Sequence, residues 1–173
     1  MEWMNLVKDT TELYRKSLEL LKERKVELTD IAELVMFLQQ SYIEDLTLAI
    51  CLENVHAVLK KREVQNAIIT GIQLDILAEE NKLIQPLQDI IAEDEGLYGI
   101  DEIMALSIVN VYGSIGLTNF GYIDKVKPGI LKRLNSHVPG EIHTFLDDIV
   151  GAIAAAAASR LAHSDPTKSD ITQ

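Results

Sequence analysis

Apolar positions recur at helical spacing along most of the chain. Asp9-Thr-Thr-Glu12 and Asp30-Ile-Ala-Glu33 both have the spacing of a capping box, so helices are predicted just after Asp9 and Asp30. The first turns Leu13, Leu18, Leu20 and Leu21 inward, the second Ile31, Leu34, Val35 and Leu38. Thr47 is the predicted cap of a third helix through Cys51, Val55, Val58 and Leu59. A fourth runs from about Arg62 to Lys82, with Val64, Ile68, Gly71, Asp75 and Ala78 on one stripe. After Pro86 a short helix spans Leu87 to Glu93, another starts near Ile100 and runs to about Tyr112, and Lys127-Pro128-Gly129 opens a short one through Ile130 and Leu131. No alternating apolar–polar run is bounded by hairpin turns, so no sheet is expected.

The last helix, Thr144 to His163, carries most of the information. Between Ile149 and Ser159 no side chain is charged, and five consecutive alanines follow Ile153. A helix that is apolar on every side is a buried one, and small side chains let its neighbours approach closely. The expected fold is therefore all-α: a multi-helix bundle with a central, buried, alanine-rich C-terminal helix. Residues 1–163 form one domain, and the polar tail 164–173 is expected to fray. From Ile103 to Ile123 there is also no charge, which is long enough to span a bilayer. That stretch nonetheless contains Asn110, Gly113, Gly116, Asn119 and Gly121, and it reads as a buried helix followed by a glycine-rich connection.

Composition narrows the function classes. A net charge of −11 excludes wrapping nucleic acid, which needs a dense Lys/Arg surface, and disfavours tight docking on an anionic membrane. It suits a protein that concentrates cations. One cysteine, Cys51, excludes an internal disulfide and a thiolate cluster and falls on an apolar helical face. Met1 to Lys8 lacks a signal pattern, so a cytoplasmic location, at most peripheral to a membrane, is expected. Wide apolar faces on the outer helices allow a homo-oligomer.

Three acidic positions hold the candidate chemistry. Asp147 and Asp148 are adjacent in the first turn of the buried helix. Asp147 could complete a cap begun by Thr144, but a second carboxylate beside it is repelled, and a helix N-terminus offsets only about 0.3–1 kcal/mol per charge. A metal ion offsets far more. Asp101-Glu102 repeats the arrangement at the preceding long helix, and Asp124 stands close to Lys127 and Pro128. Asp75, within an apolar stripe, is either a helix-to-helix hydrogen-bonding group or a further carboxylate of the site. Hard cations such as Mg2+ take a few carboxylates plus substrate phosphate and water. Phosphate-ester hydrolysis needs a metal-activated water and positive charge at the phosphate. On this reading Asp101, Asp124, Asp147 and Asp148 bind Mg2+ (or Mn2+), Glu102 is a ligand or the base to water, and Lys127 neutralises phosphate. Gly113-Ser-Ile-Gly116 lacks the ending of a P-loop. His143 is a candidate proton shuttle, whereas His56, His137 and His163 read as surface residues.

At these residues the sequence resembles the phosphatidylglycerophosphatase A family. That family carries an aspartate-glutamate motif, then an aspartate followed by Lys-Pro, then a double aspartate opening a small-residue helix. The corresponding segments here are Gly99-Ile100-Asp101-Glu102, Asp124-Lys125-Val126-Lys127-Pro128 and Phe145-Leu146-Asp147-Asp148-Ile149-Val150-Gly151. The whole chain looks like the soluble, all-helical branch of Bacillus-type bacteria. The resemblance implies Mg2+-dependent removal of phosphate from phosphatidylglycerophosphate in phospholipid synthesis, with a phospholipid head group as partner. It departs from the membrane-bound branch in lacking spanning helices and the glycine-threonine motif near the N-terminus. The Lys-Pro motif continues with Gly129-Ile130, where those enzymes have another proline, and the glycine run is reduced to Pro139-Gly140-Glu141. A phosphate-containing small molecule therefore suits the chain equally well as substrate. The rival reading is a non-catalytic helical binding or scaffolding protein that keeps the fold.

Overall fold

The computed structural model describes residues 10–164. Among them nine α-helices follow one another and no strand occurs: α1 (Thr10–Glu23), α2 (Leu28–Gln39), α3 (Leu48–Leu59), α4 (Arg62–Glu79), α5 (Leu87–Ala92), α6 (Ile100–Val109), α7 (Ser114–Val126), α8 (Ile130–Leu134) and α9 (Leu146–Ser164). The cap predicted at Asp9 and the tail from 165 onward lie outside the described residues.

Three boundaries differ from expectation, each for a local reason. α2 begins before Asp30, not after it. Glu27 is the N-cap and its amide donates to Asp30 Oδ2 at 2.8 Å, so the capping box closes one turn earlier. Val26 and Ile31, on either side of that box, are both buried and bring the chain into the core there. α4 stops at Glu79 because Asn81 turns left-handed, letting the Lys82 amide close back on Leu77 O at 2.9 Å. The expected glycine-rich connection is instead α7. A 3₁₀ turn over Asn110–Tyr112 ends at Gly113, the one true breaker, with φ 81°. Gly116 is a packing residue: a Cβ there would lie 2.9 Å from Val109 Cγ1.

α9 is the axis of the molecule, and α2, α3, α4, α6, α7 and α8 all pack against it. Every residue from Leu146 to Ser159 is buried. The small side chains allow close approach, as at Gly71 of α4, where a Cβ would meet Ile149 Cδ1 at 2.3 Å. The start of α9 is capped from another helix. Asp75 Oδ1 accepts the Phe145 amide at 3.0 Å, and Oδ2 accepts that of Leu146 at 3.0 Å. Asp75 is thus the helix-to-helix bonding group and no part of an acidic site. Thr144 does not cap; its hydroxyl donates to Ile91 O at 2.6 Å and ties the entry strand to α5. Among the described residues no helix is long and apolar enough to cross a membrane.

Candidate acidic site at the start of the central helix

Capping by Asp75 orients the first turn of α9 so that Asp147 and Asp148 face the gap between α6, α7 and the loop after α5. Asp101 and Glu102 enter from the first turn of α6, behind the left-handed Gly99. Asp124 enters from the last turn of α7, and Lys127 ends that helix in a left-handed conformation of φ 51°, ψ 51°. Such a backbone costs a side chain about 1 kcal/mol or more. Here the ion pairs of Lys127 offset the cost: its Nζ donates to Asp124 Oδ1 at 2.6 Å and to Asp147 Oδ2 at 3.0 Å. These residues line one cavity of about 160 Å³, together with Asp94, Glu95, Gly96 and Asn135.

Seven carboxylates therefore face a single ammonium. Burial opposes the charge on Lys127, but Asp147 and Asp124 outweigh it and hold the ammonium protonated well above the usual lysine range. Burial raises Asp147 to about 6 even though Lys127 pulls it down. Asp148 is pushed further, to about 10, by burial and then by Asp147, Asp101 and Asp124. The pair thus retains a proton near neutrality. Asp101 and Asp148 are only 8% and 6% exposed, yet among the described residues neither carboxylate accepts a hydrogen bond or an ion pair. Neither carboxylate is among the buried polar groups left unsatisfied, so their oxygens open onto the cavity rather than being sealed in the protein.

That donor set, all oxygen and short of positive charge, fits a hard divalent cation such as Mg2+ or Mn2+. Opposing this, no three His, Cys, Asp or Glu side chains among the described residues are already gathered so as to hold a metal ion. In this arrangement the Lys127 ammonium, between Asp124 and Asp147, carries the neutralisation.

The six residues singled out in the sequence all line this cavity, with Glu102 exposed and the others half-buried or buried. Asp94 and Asn135 line it as well and were missed. Asp94 lies just beyond a six-residue helix and turns left-handed at φ 52°. Asn135 carries no signal in the sequence. His143 does not reach the cavity. Its Nε2 lies 3.0 Å from Glu141 Oε2 and its Nδ1 3.2 Å from Arg24 Nη2, within a structural network in which Arg24 also binds Glu79. Burial lowers its pKa, and His143 is not among the residues that line the cavity. Gly113 and Gly116 lie outside the cavity, and Cys51 is core as expected. His137 and His163 are exposed, whereas His56 is half-buried beside the Tyr14 hydroxyl, 2.9 Å from its Nδ1.

Comparison with known proteins bears on the same region. The family model for phosphatidylglycerophosphatase A matches residues 27–163, from the cap of α2 through nearly all of α9. The YutG protein of Bacillus subtilis strain 168 is 68% identical over 143 residues, covering 83% of this chain and 86% of its own. YpjQ of the same organism is 59% identical over 146 residues, 84% of this chain and 82% of its own. Among solved structures, the low temperature requirement C protein of Listeria monocytogenes superposes with a TM-score of 0.86 at 70% identity, covering 88% of this chain and 96% of that one. The YpjQ crystal structure superposes at 0.85, with 56% identity and 89% and 95% coverage. Matched along most of its length by a single family model, the chain belongs to the phosphatidylglycerophosphatase A family.

Proposed function

We propose that this chain is a metal-dependent phosphatase acting on a phosphate monoester, with phosphatidylglycerophosphate as the substrate the family's name indicates. The observation that carries the reading is the pair of largely buried residues, Asp101 and Asp148, whose carboxylates open without a partner among the described residues onto a cavity whose one cation already serves Asp124 and Asp147. Asp101, Asp124, Asp147 and Asp148 would hold Mg2+ (or Mn2+). When bound, the ion supplies neutralising charge and acidifies a water for attack on phosphorus. Glu102, exposed beside Asp101, would be a further ligand or the base to that water. Lys127 is released from part of its carboxylate load once the acids are neutralised, and its ammonium meets the phosphate oxygens.

The test is phosphate release by the purified protein with Mg2+, assayed on water-soluble phosphomonoesters and on phosphatidylglycerophosphate in detergent micelles. The expected result is Mg2+-dependent turnover that falls roughly 100-fold or more in Asp148→Asn. Equal turnover in the two proteins, or none in either, removes the enzyme.

A non-catalytic binding or scaffolding role is favoured by one observation, the lack of three ready-gathered ligand side chains among the described residues. Thermal melting separates the two. A cation that binds only the folded form must raise the midpoint, and an unmoved midpoint at millimolar Mg2+ sides with the scaffold.

A further inference from the structure

The opposite end of α9 carries the reverse electrostatics. A cleft of about 800 Å³ runs along one face of α3, from Ala49 to the Lys60-Lys61 corner before α4, beside Arg160 of α9, and Lys60, Lys61, Arg160 and His56 line it. Twelve residues of helix separate Arg160 from Asp148, about 18 Å at 1.5 Å per residue. The two cavities share no lining residue.

The chain has 27 acidic and 16 basic side chains, so a cleft lined by three cations and one carboxylate reverses the sign of the whole, although only some lysines and arginines pair with a carboxylate. Arg15, Lys16, Arg24, Lys25, Lys82 and Lys127 all do. Among the described residues no carboxylate pairs with Lys60, Lys61 or Arg160, although Glu53 lines the same cleft. Arg160 is held by a neutral partner instead. Its Nη1 donates to Asn54 Oδ1 at 2.6 Å, and Asn54, 4% exposed, is itself fixed by donating to Ile50 O at 2.9 Å. An amide oxygen orients a guanidinium without cancelling its charge, leaving the remaining N–H groups for an anion. Lys60 and Lys61 sit at the α3–α4 corner, and Lys61 is the N-cap of an eighteen-residue helix whose cap makes no side-chain hydrogen bond. The positive end of that helix dipole lies beside the three side-chain charges.

We propose that this cleft binds a phosphate-bearing anion, at a site separate from the acidic cavity. The apolar wall contributed by Leu52 gives room for an organic body beyond the phosphate. Two sources present that chemistry, a free phosphorylated molecule and a phospholipid head group. The strongly negative remainder of the molecule does not prevent local binding, because at physiological ionic strength charges are screened within about 8 Å.

The experiment uses the full chain in EDTA, which leaves the acidic cavity without a divalent ion. One arm titrates inorganic pyrophosphate by calorimetry; the other measures cosedimentation with phosphatidylcholine vesicles with and without phosphatidylglycerol. Each is run on the wild type, on the Lys60→Gln/Lys61→Gln double variant, on Arg160→Gln and on Asp148→Asn. The two lysines are exposed, so the double variant folds. Pyrophosphate binding weakened at least about tenfold in the double variant and in Arg160→Gln, the loss of one charge-assisted contact, supports the proposal for a free anion. Anion-dependent cosedimentation lost in the same variants supports it for a head group. Asp148→Asn binds like the wild type in either case, whatever becomes of the phosphatase. Absence of binding in both arms, or binding that the lysine and arginine variants leave unchanged, overturns it.

Discussion

Replacing Asp148 by asparagine should make the metal-free protein more stable, against the usual effect of altering a buried polar residue. Asp148 is 6% exposed and its carboxylate has no hydrogen-bond partner among the described residues. Burial and the neighbouring Asp147, Asp101 and Asp124 raise it to about 10. An aspartate in the unfolded chain ionises near 3.9. Between about pH 4 and pH 10 the folded protein therefore binds a proton that the unfolded chain has released, and stability falls as pH rises through that window. At about 1.36 kcal/mol per unit, the ceiling at pH 7.5 is about 5 kcal/mol. Water entering the 160 Å³ cavity and movement of Lys127 toward Asp148 reduce it to ~1–3 kcal/mol. Asparagine has nearly the shape of the protonated acid and no charge, so it escapes the penalty. For a chain of this size, roughly 2–4 °C per kcal/mol, the midpoint in EDTA should rise by ~3–10 °C at pH 7.5. Near pH 4.5 the gain should shrink several-fold, because the pH then lies only about half a unit above the unfolded ionisation and little of the linkage remains. Calorimetric melting of both proteins at the two pH values checks this. A lowered midpoint at pH 7.5, or the same gain at both pH values, refutes the claim that carboxylate crowding strains the site.

The same linkage predicts that the rise in melting midpoint caused by Mg2+ is larger at pH 8.5 than at pH 5.5, since binding must displace the proton held by Asp148; melting curves at fixed Mg2+ test it, and equal shifts contradict it. Asp75→Ala leaves the buried amides of Phe145 and Leu146 without acceptors and should cost ~2–4 kcal/mol in urea unfolding, a loss under ~1 kcal/mol meaning that water takes over the cap. Gly71→Ala should cost ~1–3 kcal/mol in the same assay, because its Cβ meets Ile149 Cδ1 at 2.3 Å and Phe145 Cβ at 3.1 Å, whereas Gly121→Ala, with nothing within 4 Å, should be neutral or slightly stabilising.

How far the fold was legible depends on the range of the interaction that decides each element. Thr47 caps α3 as read, its hydroxyl accepting the Ile50 amide at 3.2 Å, because a cap is settled within one turn. The start of α2 was misplaced although its rule is equally local. Two overlapping box spacings exist, and burial of Val26 and Ile31 selects the earlier one. α7 was missed because glycines in sequence look alike: Gly113 breaks the helix, whereas Gly116 lets α7 approach Val109, and only the neighbour distinguishes them. In the site, the paired acids at Asp101 and Asp147 stood out because adjacent carboxylates at the mouths of neutral helices are locally unfavourable. Asp94 and Asn135 break no local rule, so nothing marked them before the chain was folded. The unpaired cations Lys60, Lys61 and Arg160 were invisible for the same reason, since whether a charge has a partner depends on residues far away along the chain.

The sequence by itself determined that the chain is helical and that its last helix lies inside, because a helix without charge on any face over Ile149 to Ser159 has no side to offer to water. Tertiary structure alone decided where the charges meet. Asp75 reaches across from α4 to cap α9, Lys127 bridges Asp124 and Asp147, and Asp101 and Asp148 open onto the same cavity without a partner among the described residues. Coulombic and hydrogen-bonding energies fall off within a few ångströms of space, and Asp75 and Leu146, in direct contact here, are 71 positions apart in the chain.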